Sequence, residues 1–323
     1  MQKISRRSFL AGAAAFTAAG LFTGCSGSST NDGYTIGICQ LMLHDSVAQA
    51  SQGFKAAVVA ALGEDKVTFI EQDAAGELAN CATVMDGFIA SGADLILANG
   101  TAPLQAAVSA TAEIPILGTS ITDYAAALNI TDWNGTVGGN VSGTTDLAPL
   151  DQQAAVIQEL FPDAKTVGLL YCSSEPNSIY QITRMTEHLE QMGYTCREYA
   201  FNDVNDLSAF AQVACDNSDV IYIPTDNTAA AYPETIANTV IPAGVPVVTG
   251  DANTCAAAGV ATLSISYYDL GYATGEMAVE VLTGKADIST MPVRSAGAAQ
   301  KLYHPANCQA VGVSVPEGYT AIE

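Results

Sequence analysis

Two aspartates stand just behind short β-branched runs, Asp226 after residues 219–223 and Asp251 after residues 246–249, each with an asparagine close by, Asn227 or Asn253. Four more turns share that position and polarity: Gln40 after residues 34–39, residues 99–102 after 94–98, residues 118–123 after 114–117, and residues 173–178 after 166–171. Hydroxyls beside helix N-termini suit a carboxylate, and Thr101, Thr119 and Ser120 are placed for that. An ammonium needs an anion, for which Asp251 is the first candidate and Asp226 the second. Asn177 and Asn227 would add hydrogen bonds from the opposite side. The same residue types cap helix N-termini, so each turn alone has an ordinary structural use. Six polar turns at one edge together describe a binding site for a small molecule carrying both charges, such as an amino acid. Tyr180, Tyr232, Tyr267 and Tyr268 lie near these turns and could line a side-chain pocket, although packing with the hydroxyl in water is the simpler role for any one of them.

Catalysis finds no comparable support. His44, His188 and His304 are far apart, and no GxSxG elbow, GxxxxGK[ST] loop or HExxH helix occurs. Residues 137–143 are glycine-rich but lack the strand-to-helix setting of a phosphate loop, and read as a turn into a strand. His44 and Asp45 could touch a ligand, with helix initiation by Asp45 and Ser46 the simpler account. The expectation is a binding protein, not an enzyme, with no cofactor and no metal. The formal net charge is -22, from 11 basic and 33 acidic residues, which argues against nucleic acid as a partner. Apart from Cys25, seven cysteines remain without a CxxC spacing, so at least one is unpaired and neither a metal cluster nor a dense disulfide framework is expected.

The elements that must hold these turns follow from periodicity. Short runs at 34–39, 67–71, 94–98 and 114–117 alternate with amphipathic stretches at 46–62, 77–91 and 102–112, the signature of a parallel sheet covered by helices. The series restarts at 166–171 and runs through a helix near 176–192, a strand 195–200, a helix 206–215, a strand 219–223, a helix near 228–243 and a strand 246–249. Thr35-Ile36-Gly37-Ile38 answers to Thr166-Val167-Gly168-Leu169, and Ile114-Pro115-Ile116-Leu117 to Val245-Pro246-Val247-Val248. The chain is therefore read as an α/β protein of two similar, doubly wound lobes with a cleft at the carboxyl ends of their strands.

Residues 1–24 read as an export signal, with Lys3, Arg6 and Arg7 ahead of an apolar run too short to span a bilayer. Ser5-Arg6-Arg7-Ser8-Phe9-Leu10 resembles a twin-arginine signal. Leu21-Phe22-Thr23-Gly24-Cys25 resembles a lipoprotein cleavage box, which makes Cys25 the lipid attachment site and residues 25–33 a tether. The expected location is outside the cell proper, lipid-anchored on the outer face of the cytoplasmic membrane.

Several segments together resemble the substrate-binding lipoproteins of ABC importers with the type I periplasmic-binding-protein fold, in particular the group that binds tryptophan and other aromatic amino acids. They include Ile36-Gly37-Ile38-Cys39-Gln40 followed by His44, Gly139-Asn140-Val141-Ser142-Gly143, Glu175-Pro176-Asn177-Ser178, Pro224-Thr225-Asp226-Asn227-Thr228 and Tyr267-Tyr268-Asp269-Leu270-Gly271. The resemblance implies a three-segment hinge, with crossings near 146–150, 264–268 and 290–296. Residues 34–148 and 267–290 would form lobe 1, and residues 149–266 and 291–323 lobe 2. It implies an amino-acid site over Thr101, Thr119, Ser120, Asn177, Asp226, Asn227 and Asp251, and delivery by a monomer to an ABC permease and ATPase. The alternatives within the fold are a sugar or nucleoside ligand, or a sensor in place of a transporter component.

Overall fold

The alternating runs build two sheets of the same winding. The structure is a computed structural model that describes residues 33–295 and 297–322. The export signal, Cys25 and the tether up to residue 32 lie outside the described residues.

In the first lobe β1 (Tyr34–Gln40), α1 (Asp45–Leu62), β2 (Val67–Asp73), α2 (Leu78–Ala90), β3 (Leu95–Asn99), α3 (Thr101–Ala110), β4 (Ile116–Ile121), α4 (Tyr124–Leu128) and β5 (Val141–Thr145) follow one another. The second lobe repeats the order with α5 (Leu150–Leu160), β6 (Thr166–Cys172), α6 (Pro176–Gln191), β7 (Thr195–Phe201), α7 (Val204–Asn217) and β8 (Val220–Ile223). It continues through α8 (Asn227–Ala231), α9 (Pro233–Ala243), β9 (Val247–Thr249), α10 (Ala252–Ala258) and β10 (Ala261–Ser264). The chain then returns to the first lobe in α11 (Tyr267–Leu282) and β11 (Arg294–Ser295), and ends on the second in β12 (Gln300–Tyr303), α12 (Pro305–Val311) and β13 (Thr320–Ala321).

The strand orders are β11-β5-β4-β3-β1-β2 and β13-β12-β10-β9-β8-β6-β7. Their common part, 2-1-3-4-5 against 7-6-8-9-10, is one doubly wound pattern used twice, and it places the binding crevice at the carboxyl ends of the strands. Every pairing between the named strands is parallel except β10 with β12. Alternation along β1 explains both faces of the first sheet: Cys39 packs with Met85 and Phe88 of α2, while Ile36 and Ile38 pack with Phe54 of α1 and Met277 of α11.

The seat of α11 on α1 depends on glycine. A Cβ at Gly271 would overlap the backbone of Ala50, and one at Gly53 would overlap the carbonyl of Tyr268. Small residues let the two backbones meet, which is how a helix that follows a strand of the second lobe is held on the first.

Two elements differ from expectation. Residues 291–295, read as part of lobe 2, complete lobe 1: Arg294 and Ser295 pair with Thr144 and Thr145 of β5, and Met291 is buried beside Ile36 and Leu117. The third passage between sheets therefore lies between Ser295 and Gln300. The single helix expected near 228–243 is broken at Tyr232, because Pro233 offers no N–H to continue α8 and disfavours a helical residue before it.

Candidate functional site

The ends of β1, β4, β6, β8 and β9 and the first passage between the lobes converge on one polar cavity. Asp251 caps α10: its Oδ1 accepts from Asn253 N at 3.0 Å and Thr254 N at 2.9 Å, and from the Ser46 hydroxyl across the cleft at 3.2 Å. Its Oδ2 is buried and has no hydrogen bond within the protein. Asp146, just beyond β5, accepts the Tyr267 hydroxyl on Oδ2 at 2.9 Å and leaves Oδ1 equally unpartnered. Burial pushes the Asp146 carboxyl up to about 6, against the pull of the Tyr267 hydroxyl.

His44 supplies a third acceptor, and its tautomer follows from the network. Glu175 accepts Asn227 Nδ2 at 2.7 Å, so Asn227 Oδ1 faces His44 Nε2 at 3.3 Å as an acceptor. Nε2 must then carry the proton, which leaves Nδ1 a buried acceptor without a partner. Burial holds the imidazole below its usual range, hence neutral. Ser120 adds a free hydroxyl oxygen at the same cavity. It sits where the β4–β5 register shifts between Gly118 and Ile121, with φ +55, a left-handed conformation that turns its side chain out of the strand alternation.

Glu175 organises the second-lobe wall. It also accepts from the backbone N–H groups of Asn227 and Thr228, the Thr228 hydroxyl and Asn177 Nδ2, so both oxygens are spent holding neighbours. Among the residues lining the cavity there is no lysine or arginine.

The sequence-expected residues fare differently. Ser120, Asn177, Asp226, Asn227 and Asp251 line this cavity, and Thr101 lines a smaller chamber that adjoins it at Thr122 and Asn177. Asp226, however, takes Cys172 N, Ser178 Oγ and Ala229 N on its two oxygens at 2.7–2.9 Å, which fits a structural cap with both oxygens engaged inside its own lobe. Thr119 belongs to β4, not to a turn; like Leu117 it faces α11, where the Thr144 hydroxyl bridges it to Thr274. Gln40 turns away to Asp73 at the β2 edge. Sequence reasoning missed Asp146 altogether, gave Ser46 only a helix-start role, and allowed His44 a ligand contact while preferring helix initiation as the simpler account of that stretch. A histidine between a strand end and a helix start was the available signal for His44.

Four polar contacts bridge the lobes at this site: His44 to Asn227, Ser46 to Asp251, Asn253 to Ser46 at 2.9 Å and Gln49 to Asn253 at 3.4 Å. The cavity is therefore a cleft held shut, suited to enclosing a small cation-bearing molecule.

Residues 35–321 match the model of a family described as ABC transporter substrate binding protein. The chain belongs to that family. This substrate-binding protein is 30% identical over 264 residues to a tyrosine-binding protein of Clostridioides difficile, a match covering 80% of this chain and 75% of the relative. It is also 30% identical to an ABC domain solved in complex with L-Trp from Streptococcus pneumonia, with a TM-score of 0.84 over 90% of this chain and 100% of that one. Against the ligand-free, open structure of a substrate-binding protein with adhesive properties from Clostridium difficile, identity is 29% and coverage 90% and 99%, but the TM-score is 0.69. The polar contacts between the lobes make the arrangement here closed. The family works outside the cytoplasm, and none of the helices among the described residues is long and apolar enough to cross a membrane.

Proposed function

We propose that this substrate-binding protein captures a free aromatic amino acid between its lobes and hands it to an ABC permease and ATPase, working as a monomer held to the membrane by lipid on Cys25. The observation that carries the reading is the convergence of three unpartnered acceptors, His44 Nδ1, Asp146 Oδ1 and Asp251 Oδ2, on one cavity. An ammonium has three donors and no acceptor, so it satisfies all three and neutralises buried carboxylate charge. The carboxylate end is left to a neutral donor, the unpartnered Ser120 hydroxyl at the same cavity. The similarity to tyrosine-binding and L-Trp-bound relatives supports the aromatic class.

Thermal-shift screening of the mature chain tests this. Tyrosine or tryptophan at about a hundredfold over Kd should stabilise by about 2.7 kcal/mol and raise the melting temperature by several degrees. A response to sugars or nucleosides with none to any of the twenty amino acids overturns the ligand class.

A further inference from the structure

Each of the three unpartnered acceptors spends one of its two polar atoms on a residue from a different part of the fold and keeps the other for the cavity. His44 of lobe 1 gives Nε2 to Asn227 of lobe 2 at 3.3 Å and keeps Nδ1 free. Asp251 of lobe 2 receives the Ser46 hydroxyl of lobe 1 on Oδ1 at 3.2 Å and keeps Oδ2 free. Asp146, in the first passage between the lobes, receives the Tyr267 hydroxyl on Oδ2 at 2.9 Å, from the start of α11 just past the second passage, and keeps Oδ1 free. We propose that Asn227, Ser46 and Tyr267 are positioning residues that set the site's selectivity for an ammonium, each fixing one acceptor through the atom the ligand does not use. The inference rests on the amino-acid reading above.

Two of the holders are themselves oriented. Asn227 gives Nδ2 to Glu175 at 2.7 Å, so its amide presents oxygen to His44. Ser46 Oγ accepts Asn253 Nδ2 at 2.9 Å, and Gln49 Nε2 holds Asn253 Oδ1 at 3.4 Å, so the one Ser46 proton is left for Asp251. Ser46 and Tyr267 are both buried, which gives these bonds a fixed partner in place of exchanging solvent. Held in this way, the three free atoms present lone pairs alone. An ammonium serves all three, whereas a hydroxyl has one proton and leaves two buried acceptors unmatched. Releasing an acceptor from its holder lets it turn toward another donor. The penalty against a hydroxyl then falls while the ammonium loses a contact.

The test is competition calorimetry on the full mature chain with tyrosine and tryptophan, each beside the matching 2-hydroxy acid in which a hydroxyl replaces the ammonium. The parent should prefer the amino acid by at least about a hundredfold, and in Ser46→Ala, Tyr267→Phe and Asn227→Ala that ratio should fall about tenfold. Ser46→Thr, which keeps the hydroxyl, should retain the parent ratio. A residue that serves only folding or lobe closure weakens both ligands alike, so an unchanged ratio in one variant removes that residue from the role. Amino-acid binding by the parent with the ratio near one, or with the ratio unchanged in all three variants, overturns the proposal and leaves amino-acid capture standing. Absence of binding by every amino acid takes both down together.

Discussion

Asp251→Asn should weaken aromatic amino-acid capture by roughly thirtyfold to several thousandfold, the 2–5 kcal/mol that follows removal of one partner from a buried charge pair, with the fold left intact. The two oxygens of Asp251 have separate duties. Oδ1 caps α10 and receives Ser46, and asparagine keeps that acceptor in place, being as good a cap as aspartate. Oδ2 is the buried acceptor without a partner, and asparagine replaces it with an N–H donor aimed at the ligand's ammonium. The charge is lost and a like dipole takes its place. Asp251→Ala removes both duties, so it should lose about 1 kcal/mol of stability in addition. Titration calorimetry on both variants, read beside their ligand-free melting temperatures, separates the two effects. Binding by Asp251→Asn within threefold of the parent would remove Asp251 from the ammonium site.

The contacts that close the cleft are all polar and between neutral groups, apart from the Asp251 carboxylate that receives Ser46. Each adds about 0.5–1.5 kcal/mol once exchange with water is counted. Such a latch is reversible, and a ligand that bridges Asp251 and Asn227 on one lobe with His44 and Ser120 on the other shifts the balance toward closure by its preference for the closed form. A tether on Cys25 would keep the closed form near its permease and raise their effective concentration.

The doubly wound repeat was legible because hydrophobic periodicity is a local signal. Thr35–Ile38 and Thr166–Leu169 announce the first strand of each lobe without any knowledge of the other. Asn177, Asn227 and Asp251 were legible as cavity residues because strand ends face the crevice in any doubly wound sheet. Thr119 was misplaced because the β4–β5 irregularity lengthens β4 past the expected turn, and a bulge has no compositional mark in Gly118-Thr119-Ser120-Ile121. The Ser295–Gln300 passage was misplaced for a related reason: a two-residue strand such as β11 is created by its partner, β5, and carries no periodicity of its own. Asp146 was invisible because it sits in a passage between lobes, where only the return of α11 brings Tyr267 to it, 121 positions along the chain.

That same Asp146 makes ligand affinity depend on pH, and in the opposite direction from stability. Its carboxyl is pushed up to about 6 by burial and, among its neighbours, by the Asp251 charge, while Tyr267 and Thr122 hydroxyls oppose the shift. An ammonium binds the ionised form, so affinity should be flat above about pH 7, then fall about tenfold per unit below 6, reaching about a hundredfold near pH 4. His44 is held neutral by burial and keeps Nδ1 as an acceptor through the upper part of this window. For the ligand-free protein the sign reverses. A carboxyl whose folded value lies above its unfolded value near 3.9 contributes stability that is complete below 3.9 and is lost as pH rises through 6. Asp226, pushed up to about 7 by burial and by Glu175, adds to that stability trend, but its oxygens are taken by Cys172, Ser178 and Ala229 and it should not enter the affinity. Calorimetry near pH 5.5 in two buffers of different ionisation heat should therefore register proton release on binding, and Asp146→Asn should abolish both the release and the slope. A dissociation constant constant from pH 5 to 8 would mean that Asp146 does not meet the ammonium, and the three-acceptor reading would lose one of its members.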